Sequence, residues 1–194
     1  FAFAIIRMIV SLVNMLSKLY LPEGEDVSGN LVSVLIPARN EAHNLPDLLS
    51  ALINQNYSDM EILIYEDHSE DSTADVVLRF ANKDSRINLL NGEPIPNGWS
   101  GKNYACHKLA ANARGNYLLF LDADVNVSID LVRKSVACSK QNNLSLLSIF
   151  PRQKIFSIGE RMTVPLMNWI LLTLLPMALI RKSQNPSLAA ANGQ

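Results

Sequence analysis

Between residues 31 and 150, short apolar runs alternate with longer amphipathic stretches, and this alternation restricts the fold more than any other feature. The runs are Leu31 to Pro37, Met60 to Tyr65, Ile87 to Leu90, Tyr117 to Leu121 and Leu144 to Phe150. Each is too short for a helix and apolar enough for a buried strand. The stretches between them carry helical spacing. Asn44 stands where it can cap a helix bearing Leu45, Leu48, Leu49 and Leu52 on one face. Ser72 opens a second with Val76, Val77 and Phe80, Lys102 to Arg114 is a third ended by Gly115, and Ile129 to Ser139 is a fourth after Ser128. Strands that alternate with helices of this length predict an α/β domain whose sheet is mostly parallel, with helices on both faces. Ligands of such sheets bind outside the carboxyl ends of the strands.

Those ends are polar. Pro37-Ala38-Arg39-Asn40-Glu41 follows the first run, Glu66-Asp67-His68-Ser69-Glu70-Asp71 the second and Asp122-Ala123-Asp124 the fourth. Gathered carboxylates repel one another unless a cation or a donor-rich ligand lies among them. On an extended chain Asp122 and Asp124 face the same way and Ala123 faces the other, so both can address one hard divalent cation, Mg²⁺ or Mn²⁺. The alternative is a pair of exposed loop carboxylates. Asp67, at the tip of its strand, can accept hydrogen bonds from a base or a ribose. Asp71 and Ser72 can serve as helix caps, and His68 as a plain loop residue. Lys102 follows Gly98-Trp99-Ser100-Gly101 at a helix start, a place suited to a phosphate or simply to water. The spacing of those glycines is not that of a P-loop.

The ends of the chain are oily. Residues 1 to 21 carry only Arg7 and Lys18 as charges, and Met162 to Ile180 carries none but contains Pro165 and Pro176. The first reads as a membrane anchor over residues 1–22, or as a buried or amphipathic helix. The second reads as an interfacial or re-entrant segment within residues 151–194, or as a core helix. Basic residues flank it on both sides, which places the domain of residues 31–150 on the cytoplasmic face. With 17 basic and 18 acidic residues there is no basic excess, which argues against a nucleic-acid partner. Two cysteines, Cys106 and Cys138, make no disulfide framework. Three sequons, at Asn56, Asn126 and Asn143, matter only in a secretory lumen. Residue 1 is Phe and the last residues close no element, so a fragment of a longer protein, cut at both ends, is expected.

Taken together, Val32 to Glu41, Tyr65 to Thr73 and Phe120 to Asp124 resemble glycosyltransferase family 2, of the GT-A fold, in order and approximate spacing. Gly98 to Cys106, the oily Pro-interrupted run and Ala189 to Gln194 are similar to a membrane-linked subgroup acting on carotenoid, hopanoid and other isoprenoid lipids. The resemblance covers residues 31–194. It implies that Pro37, Ala38, Arg39 and Glu41 line a nucleotide pocket, that Asp67 contacts the uracil of a UDP-sugar and that Lys102 lies near the base or diphosphate. It also implies that Asp122 binds the ribose side or the metal, and that Asp124 coordinates Mn²⁺ or Mg²⁺. Glu66 and His68 stand where the family more often has Asp, and Gly or Asn.

The implied reaction is metal-dependent, inverting sugar transfer from a nucleotide-sugar donor to a lipid or isoprenoid hydroxyl, at a membrane. The family's catalytic base falls beyond Gln194, so this chain is expected to bind donor and metal and to turn over poorly. Two alternatives are a membrane-bound sugar-nucleotide-binding remnant and a phosphatase of the haloacid dehalogenase type, which also places Asp-x-Asp after a strand.

Overall fold

The computed structural model describes residues 1–17, 21, 28–149, 155, 157–174 and 176. Its elements are α1 (Ala2–Leu16), β1 (Val32–Ala38), α2 (Leu45–Ile53), β2 (Met60–Glu66), α3 (Thr73–Ala81), β3 (Ile87–Asn91), α4 (Gly101–Asn112), β4 (Tyr117–Phe120), α5 (Leu131–Gln141) and α6 (Ile158–Leu174). They fall into two compact units, residues 22–145 and residues 1–21 with 146–193.

In the first unit the four strands lie in the order β3-β2-β1-β4, every pair parallel. Val34 sits opposite Ile62, Ala38 opposite Glu66, and Leu35 opposite Phe120. Alternation along each strand divides the sheet into two faces. Val34, Ile36, Ile62 and Ile64 share one core with Leu48, Leu52, Val77 and Val136 from α2, α3 and α5. Leu35, Leu63 and Tyr65 share another with Ala105 and Leu109 of α4. Both faces are thus covered, as the near-continuous apolar strands require.

Several local expectations change. Asn44 makes no cap bond through its side chain; its amide donates instead to Glu41 Oε2 at 2.7 Å. Leu144 to Ile149 form no strand, and Phe150 lies outside the described residues. The apolar content of that run is not enough without a neighbour to pair with. Gly115 does not cap α4, whose last turn runs into an extended Ala113. Its role is close approach: a Cβ there would stand 2.6 Å from both Ser33 N and Ser33 Oγ and 2.8 Å from Leu31 O. Gly115→Ala is therefore expected to destabilise the fold by about 1–3 kcal/mol, the usual cost of overpacking against backbone. The midpoint of urea unfolding, at unchanged slope, measures it.

The second unit pairs the chain ends. Arg7 Nη2 donates to Thr173 Oγ1 at 2.5 Å, and Asn14 Nδ2 donates to the Leu172 carbonyl at 2.8 Å. Ser157 and Glu160 close a reciprocal capping box on α6, with Ser157 N donating to Glu160 Oε2 at 2.9 Å and Glu160 N to Ser157 Oγ at 3.2 Å. Pro165 lies inside α6 and does not interrupt it. No helix among the described residues is long and apolar enough to cross a membrane. The membrane-anchor helix expected over residues 1–22 is not supported among the described residues, in which no membrane span is found. Of Met162 to Ile180, residues 175 and 177–180 lie outside the described residues.

Candidate functional site

The strand order creates the site. The chain moves outward from β1 to β2 to β3, then returns to place β4 on the other side of β1. The loops after β1 and β4 therefore leave in different directions, and the carboxyl ends of these strands are where a sheet of this kind takes its ligand. Residues 38–41 and 121–124 lie at these ends.

Much of the polar sequence at this edge holds the loops together. The loops after β1 and β2 are laced by Asn40 N to Ser69 Oγ at 3.0 Å, Glu70 N to Asn40 Oδ1 at 2.8 Å and Glu41 N to Thr73 Oγ1 at 2.8 Å. Asp71 accepts from Ala42 N at 3.1 Å and Thr73 N at 2.9 Å. A hydrogen bond from Thr73 is the main cause holding its carboxyl below the usual range. Glu66 accepts a short bond from Ser69 N. Asn40 has φ of 57°, a left-handed conformation that Asn tolerates better than most residues. The carboxylates of Glu66 and Asp71 are thereby satisfied by backbone donors, and the crowding of acids is largely structural.

Asp67 is the exception. Only 7% exposed, it follows β2, with its backbone N–H donating to the Ala38 carbonyl at 2.9 Å. Among the described residues nothing donates to its carboxylate. Buried carboxylates without donors are costly, and they persist where a ligand supplies the donor. The carboxylate lies against the start of α4: a Cβ on Gly101 would stand 3.0 Å from Asp67 Oδ2. Gly92 makes the other close approach, where a Cβ would meet the Glu66 carbonyl at 2.6 Å. Two glycines thus let two chain segments close on the Asp67 peptide and carboxylate.

One residue further on, Lys102 reaches across to β4. Its Nζ lies 2.7 Å from Asp122 Oδ1, with the Lys102 side chain 55% exposed. The ion pair draws the start of α4 to the end of β4, so Asp67, Gly101, Lys102 and Asp122 form one contiguous edge. Burial pushes the neighbouring Cys106 thiol up. The expected extended Asp-Ala-Asp arrangement is replaced by a turn, in which Val125 N donates to the Asp122 carbonyl at 3.4 Å. Ala123 still turns away, into the core. Asp124 is exposed and has no partner among the described residues, and no group of three or more metal-ligating side chains occurs there.

The remaining expected residues are placed as follows. Pro37 is half-buried in β1, Ala38 is buried and presents its backbone, and Arg39 is exposed without an ion pair among the described residues. The Glu41 carboxylate is engaged by Asn44. Sequence reasoning missed Gly101 and Gly92 as close-approach positions, and it missed how the loop before α4 is fastened. There Glu93 N donates to the Tyr65 hydroxyl at 2.8 Å, Lys108 pairs with Glu93 at 2.8 Å, and Trp99 packs edge-on against Tyr104. A polar cavity of about 370 Å³, lined by Gln55, Tyr57, Asp59 and Arg86 among others, lies at the opposite, amino-terminal edge of the sheet.

A family model described as glycosyl transferase family 2 matches residues 33–185. A 4,4'-diaponeurosporenoate glycosyltransferase of Staphylococcus haemolyticus (strain JCSC1435) is 30% identical over 169 residues, which cover 86% of this chain and 44% of that protein. The UDP-Glc:alpha-D-GlcNAc-diphosphoundecaprenol beta-1,3-glucosyltransferase WfgD of Escherichia coli is 31% identical over 117 residues, 60% of this chain and 44% of that one. The chain thus spans less than half the length of these curated relatives. Among solved structures, the mannosyltransferase PcManGT from Pyrobaculum calidifontis, in complex with GDP-Man and Mn²⁺, aligns with a TM-score of 0.57 at 19% identity, covering 71% of this chain and 41% of that one. That likeness establishes the fold as the nucleotide-sugar-transferase type, a parallel sheet with flanking helices.

Proposed function

This chain belongs to glycosyltransferase family 2, and from that premise we propose that it moves a sugar from a UDP-sugar to a hydroxyl of a lipid or isoprenoid acceptor, with inversion at the sugar carbon. Family membership removes the phosphatase alternative. The observation that carries the reading is the buried carboxylate of Asp67, without a donor among the described residues, on the same edge as the Lys102–Asp122 ion pair. Asp67 can accept an N–H of the base, and Gly101 leaves room for the base to come close. Lys102, exposed and at a helix start, can turn its ammonium to the diphosphate, which takes on negative charge as the sugar–phosphate bond breaks. Pro37, Ala38 and Arg39, at the carboxyl end of β1, complete the nucleotide side.

The oxygen donors fit a hard divalent cation that keeps several waters and takes phosphate oxygens as its other ligands. Asp124, exposed and without a partner among the described residues, would hold Mn²⁺ or Mg²⁺, with Asp122 as the second carboxylate once Lys102 has turned to phosphate. When bound, such an ion supplies positive charge at the leaving diphosphate. The acceptor hydroxyl must lose a proton to a general base, and none of the residues placed at this edge is given that role. The named activities of the two curated relatives, on a carotenoid acid and on a diphosphoundecaprenol-linked sugar, support a lipid acceptor. The oily terminal helices support a membrane surface as the place of reaction, and the flanking basic residues support its cytoplasmic face.

Calorimetric titration with UDP, with and without Mn²⁺, tests the reading. Asp124→Asn is expected to lower Mn²⁺-dependent UDP affinity about tenfold or more, on the order of 1.4 kcal/mol, while Mn²⁺-independent binding stays the same. Unchanged Mn²⁺-dependent binding overturns the metal assignment.

A further inference from the structure

Residues 92 to 100 join β3 to α4, and they carry a single charge, Glu93. Pro94 and Pro96 offer no N–H, so the segment has few backbone bonds to give and its course depends on side chains. Gly92 takes it across the end of β2, against the Glu66 carbonyl and the Asp67 Cα. Ile95 comes to rest beside Gly101: its Cδ1 would stand 3.7 Å from a Cβ there, on the glycine whose other neighbour is Asp67 Oδ2 at 3.0 Å. The segment and the start of α4 thus make the wall that faces the Asp67 carboxylate.

Glu93 fastens that wall from both sides. Its N–H donates to the hydroxyl of buried Tyr65 at 2.8 Å, and its carbonyl lies 3.4 Å from His68 Nε2, so its backbone is held by the end of β2 and the loop that follows. Its carboxylate reaches the other way. Oε1 lies 2.8 Å from Lys108 Nζ, and Oε2 accepts from the Tyr104 hydroxyl at 3.3 Å. Tyr104 and Lys108 are one turn apart on α4, and Lys108 Nζ also lies 5.8 Å from the Tyr104 ring centroid. The bond from Lys108 holds the Glu93 carboxyl below its usual range.

An ion pair this open to water, with the Glu93 side chain 53% exposed, contributes little to stability. What it fixes is a distance. One residue ties the tip of β2, which leads into Asp67, to the helix that carries Gly101 and Lys102. A site whose walls are already set loses less freedom when a ligand enters.

We propose that Glu93 is a positioning residue for the nucleotide base: through Tyr104 and Lys108 its carboxylate holds Gly101 at the spacing from Asp67 that lets a donor of the base reach the carboxylate. Glu93 itself touches no substrate, and its role rests on the reading of Asp67 as the acceptor for the base. Loosening the tie costs affinity for the base and not for the diphosphate, because the Lys102 side chain, 55% exposed and flexible, can follow a small shift of α4.

Calorimetric titration of the full chain with UDP, and separately with pyrophosphate and Mn²⁺, tests this. Glu93→Ala is expected to bind UDP about tenfold more weakly. Glu93→Gln, which keeps an acceptor for Tyr104 but loses the charge, is expected to lose about threefold, as is Lys108→Met. Exchange of the pair, Glu93→Lys with Lys108→Glu, is expected to recover UDP affinity to within about threefold of wild type. Every variant is expected to bind pyrophosphate with Mn²⁺ as wild type does and to keep nearly the wild-type midpoint of urea unfolding. Wild-type UDP affinity in Glu93→Ala, or an equal fall in UDP and pyrophosphate binding, overturns the inference and leaves the base reading in place. If Glu93→Ala does not fold, Glu93→Gln decides, and wild-type UDP affinity there overturns the inference. A wild type that binds UDP no more tightly than pyrophosphate overturns the base reading and this role with it.

Discussion

Asp67→Asn is expected to weaken UDP binding about 10- to 100-fold while leaving the protein as stable as before or more so. The two effects have one cause. The carboxylate is 7% exposed and receives no hydrogen bond among the described residues, so the folded protein bears the cost of burying an acceptor that only a ligand satisfies. A donor from the base returns that cost on binding, and a hydrogen bond to a charged acceptor contributes about 1.5–3 kcal/mol, the stated range of affinity. Asn keeps the shape but turns an NH₂ toward the donor or offers a weaker, neutral oxygen. The backbone contact from Asp67 N to the Ala38 carbonyl does not depend on the side chain, so β2 should keep its register. Calorimetric UDP titration and thermal unfolding of the variant measure the two halves. Full UDP affinity in a folded Asp67→Asn protein would falsify the assignment of the base pocket. A large drop in stability would instead mean that the carboxylate has a structural donor.

The parts of this molecule legible in sequence are those governed by short-range pattern. Val32 to Ala38 and Met60 to Glu66 announce themselves as strands because both faces of the sheet are covered and every position is apolar or paired. The carboxyl-edge rule then led to Asp67, Lys102 and Asp122 without any knowledge of their distances. Failures cluster where a residue's partner is remote in the chain. Glu66 reads as one of a gathered set of acids, yet its partner is the backbone N–H of Ser69 in its own loop, whereas Asp71, read as a helix cap, does accept from Thr73 N at the start of α3. The partner of Asp122, an ammonium twenty residues earlier, is likewise invisible in the local pattern. Gly115 read as a helix cap because it follows a helix, but its lack of a Cβ answers to Ser33, far upstream. The capping box of Ser157 and Glu160 is the opposite case: its Ser-x-x-Glu spacing was open to view in the sequence and was passed over.

Glu61→Ala should cause the largest loss of stability of any single change considered, about 2–4 kcal/mol at neutral pH. Glu61 lies in β2 and is 3% exposed, on the face covered by α4. Its Oε1 accepts from Ser33 Oγ and Arg114 N, both at 2.7 Å, and its Oε2 accepts from Arg114 Nε at 2.9 Å and pairs with Nη2 at 2.7 Å. One carboxylate thus joins β1, β2 and the chain leaving α4. Removing it strands a buried hydroxyl and a backbone N–H, while the Arg114 side chain, 74% exposed, can return to water, which keeps the cost below that of a fully buried pair. Burial pushes the Glu61 carboxyl up, but the bonds from Ser33 and Arg114 outweigh burial and hold it below the usual range. Because the folded value is the lower one, its stabilisation is complete above the unfolded value of about 4.3 and is lost as pH falls through the folded value. Urea unfolding at pH 7 and again near pH 3 is expected to show a wide gap between wild type and Glu61→Ala at pH 7 that narrows at pH 3. Glu61→Gln should fall between them, since its amide oxygen can still accept from Ser33 while its NH₂ faces the Arg114 donors. A gap that persists undiminished in acid would mean that packing, not charge, is what Glu61 contributes.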